Sequence, residues 1–78
     1  MGCVFHHGEI ARLLRHFNMK KRKNGFIYEG TGRDGKWRSA KFDYHKDRDV
    51  LRKGTALNIA QSLGFATLEE MKDYYNSI

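Results

Sequence analysis

The stretch Phe26-Ile27-Tyr28-Glu29-Gly30-Thr31-Gly32-Arg33-Asp34-Gly35-Lys36-Trp37-Arg38-Ser39-Ala40-Lys41-Phe42-Asp43-Tyr44 decides the fold. Phe26 to Thr31 mixes aromatic and β-branched side chains, which suit a pleated, half-buried surface. Gly32-Arg33-Asp34-Gly35 has the composition of a hairpin turn, because glycine and aspartate tolerate the backbone angles such turns demand. From Lys36 to Tyr44 the side chains alternate: Lys36, Arg38, Ala40, Phe42 and Tyr44 fall on one face, and Trp37, Ser39, Lys41 and Asp43 on the other. Two antiparallel strands follow. Ala40, Phe42 and Tyr44 mark the buried end, and Lys36 and Arg38 reach solvent near the turn. Phe26 and Phe42 are expected in the core. Met19 to Lys23 supplies a further extended segment ahead of these two.

Outward from this hairpin the period changes to helical. Upstream, Ile10, Leu13, Leu14 and Phe17 recur at i, i+3, i+4 and i+7, which predicts a helix from Gly8 to Phe17 that leaves through Asn18. Downstream, His45 to Lys53 is a charged connection. Gly54-Thr55 then opens a second helix with Thr55 as its N-cap, an apolar stripe of Ala56, Ile59, Ala60 and Leu63, and Gly64 just past its end. Thr67-Leu68-Glu69-Glu70 is a capping box starting a third helix, whose stripe of Met71, Tyr74, Tyr75 and Ile78 serves packing or a protein partner. The reading is one α+β domain over residues 1–78. It has a small αβββα(α) order and a three-stranded antiparallel sheet with helices on one face. Residues 1–7 are expected to be flexible, with the core beginning near residue 8.

The 78 residues carry 15 Lys and Arg against 9 Asp and Glu, a net charge of +6, and 40% hydrophobic residues, enough for a core rather than a disordered chain. No apolar run is long enough for a transmembrane helix, and the N-terminus lacks the apolar region of a secretory leader. The single Cys3 excludes an internal disulfide and a cysteine-based zinc site, so a cytoplasmic setting without membrane, metal or cofactor is expected. The excess charge clusters. Lys20, Lys21, Arg22 and Lys23 open the sheet; Arg33, Lys36 and Arg38 surround the turn; Lys41 lies on the last strand; Lys46, Arg48 and Lys53 follow it. Such clustering is the footprint of a polyanion partner, nucleic acid first. Strand alternation lets only half of residues 20–23 share a face. Trp37, between Lys36 and Arg38, is the aromatic best placed to meet an unpaired base. Lys53 and Thr55 offer a helix N-terminus beside a cation, a natural phosphate site. His45, at a strand end, is the one candidate for proton transfer near neutral pH.

Phe42-Asp43-Tyr44-His45, then Lys53-Gly54-Thr55, then Ile59-Ala60-Gln61-Ser62-Leu63-Gly64-Phe65 and the acidic start Leu68-Glu69-Glu70-Met71 resemble the HicA toxin family. The resemblance implies a fold like the double-stranded-RNA-binding domain. It also implies RNA as partner in preference to DNA, a protein antitoxin, and ribonuclease activity. It runs from about Gly8 onward. The family's catalytic histidine, linked to a glycine on the first strand pair, has no counterpart in Gly25-Phe26-Ile27-Tyr28, and Tyr44 stands where the family carries proline. The resemblance with this departure implies an RNA-binding domain without strong catalysis. One alternative is an active ribonuclease using His45. Another is a protein-binding module of phage or mobile-element origin that targets an acidic partner.

Overall fold

The computed structural model describes residues 4–23 and 25–78. Helix α1 spans His7–His16, strands β1, β2 and β3 span Lys20–Lys21, Ile27–Thr31 and Trp37–Lys41, and helices α2 and α3 span Lys53–Ser62 and Leu68–Ser77. The sheet is antiparallel in the order β1-β2-β3. The α+β architecture and element order are those of the sequence reading, although the strands are shorter: β3 ends at Lys41, past which the Phe42 N–H still donates to the Phe26 carbonyl at 2.7 Å, and Asp43 to Lys46 run on outside the ladder.

Both helix exits follow from local chemistry. Asn18 adopts φ 56° just past α1, while its N–H donates to the Arg15 carbonyl and the Met19 N–H to the Leu14 carbonyl. Gly64, at φ 100°, does the same after α2, with its N–H on the Gln61 carbonyl and the Phe65 N–H on the Ala60 carbonyl. These paired bonds close the last turn and send the chain back across the core. At the start of α3, the Thr67 hydroxyl accepts from the Glu70 N–H at 3.1 Å, as the capping box requires. The start of α2 differs from expectation. Its N-cap is Arg52, without a side-chain cap bond, and Thr55 lies inside the first turn.

The core lies between the sheet and the helices. Ile10, Leu13 and Leu14 of α1, Ala56, Ile59 and Ala60 of α2, and Leu68 and Met71 of α3 are buried with Met19, Ala40, Phe42, Leu63 and Phe65. Tyr74 stacks on Phe17 with ring centroids 5.4 Å apart, and its hydroxyl meets His16 Nε2 at 2.9 Å, joining α3 to the end of α1. The α3 stripe is therefore used largely in packing.

Expectations about the core are corrected in two respects. The core begins before residue 8. Phe5 is fully buried, its carbonyl accepts from the Leu51 N–H at 2.9 Å, and the His7 N–H donates to the Asp49 carbonyl at 2.8 Å. Residues 5–8 run alongside residues 47–51, and Lys72 Nζ lies 4.1 Å above the Phe5 ring and bonds the Val4 carbonyl. Pairing with a distant loop satisfies backbone groups that no local pattern announces. Expected flexibility of residues 1–3 falls outside the described residues. The second correction concerns the aromatics: Tyr44, past the end of β3 and expected at its buried end, and Phe26 are each 42% exposed, while Phe42 is buried. Phe26 immediately precedes β2, at the end of the sheet.

Candidate nucleic-acid interface

Strand register sorts the basic residues onto two faces. Lys21, Tyr28 and Ala40 are cross-strand neighbours, and the last two face the core. Lys20, Glu29 and Ser39 form the next row, pointing the other way, followed by Thr31 with Trp37. Ile27 pairs with Lys41, and the Arg22 N–H bonds the Ile27 carbonyl at 2.7 Å, which brings Arg22 to the same outer side. The outer face thus carries Lys20, Arg22, Lys41 and Trp37 around a central Glu29. Trp37 is 72% exposed, the most open of the large apolar side chains described. Arg22 Nε sits 3.3 Å from Glu29 Oε1. A shallow depression of about 500 Å³ lies between Trp37 and Thr31 on one side and Lys20 and Arg22 on the other, closed at one end by Phe17 and Asn18. The rule that half of residues 20–23 share a face is met by Lys20 and Arg22. Lys21 borders both this depression and a second one with Arg15, Tyr44 and Asp47 on the α1 side, and Lys23 is exposed beyond β1.

The turn cations have other employment. Arg38 meets both carboxylate oxygens of Asp34, at 3.0 and 2.6 Å. These bonds, above all, hold the Asp34 carboxyl well below the usual carboxylate range and push the Arg38 guanidinium upward. Arg33 pairs with Glu70 of α3 at 2.7 Å and lies 5.3 Å over the Phe65 ring. Arg33 anchors the hairpin turn to α3, and Arg38 ties the turn back onto β3. Lys36 remains exposed, with its backbone N–H on Asp34. Among the described residues, Lys20, Lys36, Lys41, Lys46, Arg48 and Lys53 make no ion pair.

A second locus forms at the N-terminus of α2. A pocket of about 240 Å³ is lined by His7, Asp43, His45, Arg52 and Thr55, with Phe42, Val50 and Leu51. His45 Nε2 lies 3.2 Å from Asp43 Oδ2, and the His45 N–H donates to His7 Nδ1 at 3.1 Å. The rings of His7 and His45 are 5.7 Å apart. With Asp43 accepting from Nε2–H, the neutral-ring tautomer of His45 has Nδ1 as its acceptor. His7 is 9% exposed, and its neutral ring carries the proton on Nε2 because Nδ1 is an acceptor. Thr55 is in this pocket as a first-turn residue, with Lys53 exposed beside it, while Lys46 and Arg48 line the connection outside. Tyr44 donates its hydroxyl to Asp47, and that bond, ahead of burial, raises the phenol above its ordinary pKa, so it is no base at neutral pH.

His7, Asp43 and Arg52 escaped the sequence reading of this pocket, and Glu29 that of the outer face. Strand alternation contained the Glu29 signal, since it shares the parity of Ile27 and Thr31. Nothing local could have brought His7 to His45. No helix among the described residues is long and apolar enough to cross a membrane.

The chain is a small basic α+β domain, with one cationic sheet face and one histidine pocket. Compared with known proteins, it matches no family model, no curated protein and no solved structure.

Proposed function

We propose that this domain binds nucleic acid, RNA in preference to DNA, and that binding rather than cutting is its main role. One observation carries the reading. The outer face of the sheet is left uncovered by the helices and presents Lys20, Arg22 and Lys41 together with an open tryptophan. Cations on a rigid strand meet phosphates without reorganisation, and the net charge of +6 draws a polyanion in. The HicA-like residues quoted above favour RNA, and the lack of a histidine in Gly25-Phe26-Ile27-Tyr28 favours binding over cleavage. The lone cysteine suits a reducing, cytoplasmic setting.

The test is a gel experiment with one labelled RNA, containing a hairpin and single-stranded flanks, beside a DNA duplex of equal length at low and physiological salt. A shift of intact RNA that salt reverses is the expected result. Absence of any shift at low salt overturns the reading and directs attention to an acidic protein partner such as an antitoxin.

A second reading, a ribonuclease using His45, is favoured by the Asp43–His45 pair beside a helix N-terminus. Asp43 would orient the imidazole, and Nδ1 would take the proton of a ribose 2′-hydroxyl. Cleaved RNA in the same gel, abolished by His45→Ala while binding survives, would establish it. Cleavage that persists in His45→Ala would remove His45 from that role.

A further inference from the structure

We infer that the outer sheet face is a site for single-stranded RNA, with one unpaired base stacked on Trp37 and the backbone running along β1. The inference rests on the nucleic-acid reading and narrows its substrate class.

The exposed Trp37 indole makes no ring–ring or cation–π contact among the described residues. It can be covered by any base that is free of its complement, whereas the bases of a duplex are already stacked. The charges around Trp37 are arranged for the same ligand. Glu29 occupies the middle strand, so a phosphate over the centre of the face would meet a carboxylate. Lys20 and Arg22 lie on the β1 side of Glu29, and Trp37 lies on β3. A phosphate is therefore favoured at the β1 border, with Lys41 a further cation four residues along β3 from Trp37, and a neutral ring over Trp37 itself. Two interstrand spacings separate β1 from β3, about 10 Å, which a nucleotide and one lysine side chain span together. The depression between them, about 500 Å³, is of the size that takes a small organic ligand. Its lining residues Lys20, Glu29, Thr31 and Trp37 are held in place by the strand ladder.

Trp37 is the only tryptophan in the chain, so its fluorescence reports this face alone. The full chain is titrated at moderate salt with a short single-stranded RNA, with the same sequence as a duplex, and with polyglutamate, a polyanion without bases. Saturable quenching by the single strand is expected, with little change from duplex or polyglutamate. Trp37→Ala should weaken single-strand binding about tenfold, Trp37→Phe should restore most of it, and duplex binding should stay unchanged in both. Circular dichroism checks that each variant is folded. If the single strand binds without quenching, or Trp37→Ala binds it as tightly as the parent, the stacking site is overturned while the nucleic-acid reading stands. Equal quenching by polyglutamate overturns it as well. If no RNA or DNA binds by an independent gel shift, both readings fall together.

Discussion

The backbone N–H of His45 donates to Nδ1 of His7 at 3.1 Å, joining two histidines 38 positions apart in the sequence in one pocket. His7 is held there by its own N–H on the Asp49 carbonyl and by a tilted contact with the Phe42 ring at 5.3 Å. Replacement His7→Ala removes the acceptor and leaves a void against Phe42. Urea unfolding should show a loss of about 2–3 kcal/mol, the sum of a lost hydrogen bond and a partial cavity. A loss below about 0.5 kcal/mol, the range of ordinary surface changes, would mean that His7 carries little of this corner.

The cations divide into those that hold the fold and those that face outward, and the two groups should respond differently to mutation. Lys20→Ala and Lys41→Ala remove outer-face charge. Each should lower the slope of log affinity against log salt by about 1, with the melting temperature unchanged. Arg38→Ala breaks the two bonds to Asp34 and Arg33→Ala the pair with Glu70, so each should lower the melting temperature and leave the salt slope nearly unaltered. A full unit of slope lost with Arg38→Ala would return that residue to the binding surface.

Gly32 is where the hairpin touches the end of α2. A Cβ placed there would lie 2.7 Å from the Leu63 carbonyl oxygen and 2.6 Å from Arg38 Cδ, and the adjacent Arg33 N–H donates to that same carbonyl. The arginine can move, but the carbonyl is backbone at the close of a helix. Gly32→Ala should cost about 1–3 kcal/mol by thermal or urea unfolding, as overpacking at a fixed contact does. Gly35→Ala meets no atom but keeps a φ of 79°, so its smaller cost should come from backbone strain alone.

Much of this architecture was legible because its signals are local. The 3.6-residue stripe of Ile10, Leu13 and Leu14, the exits at Asn18 and Gly64, the Thr67 cap and the alternation along β3 each reflect a few neighbouring residues. The misses share a different cause. Phe5, His6 and His7 look like a loose terminus because their partners, Leu51, Val50 and His45, are far along the chain. Thr55 looked like a cap, yet α2 starts at Lys53 without one. Among the candidate contacts, Lys20, Arg22, Lys41 and Trp37 assemble because they share strand parity. Arg33 is drawn away by Glu70, which only tertiary geometry brings near, and Arg38 by Asp34, four residues back across the hairpin turn.

Glu9 joins three parts of the molecule and should make stability sensitive to acid. Its Oε1 accepts from the His6 N–H at 2.8 Å, and its Oε2 meets Lys72 Nζ of α3 at 3.1 Å. Burial by itself would raise the Glu9 pKa, but the bonds from His6 and Lys72 outweigh it and hold the carboxyl below the ordinary glutamate range. A carboxylate depressed on folding binds its proton more readily when unfolded. Its contribution is complete above the unfolded value of about 4.3 and drains away as pH falls through the folded value. Stability should therefore fall as pH drops below about 4.3, where Glu9 begins to protonate in the unfolded chain. Glu9→Gln should remove about 1 kcal/mol at neutral pH, since a partly exposed charge-assisted pair is worth little more. It should also flatten that acid limb, because the amide has no proton to gain. Urea unfolding of both proteins across this range checks the prediction. Parallel curves for parent and variant would assign the acid sensitivity to another carboxylate, with Asp34, held low by Arg38, the next to replace.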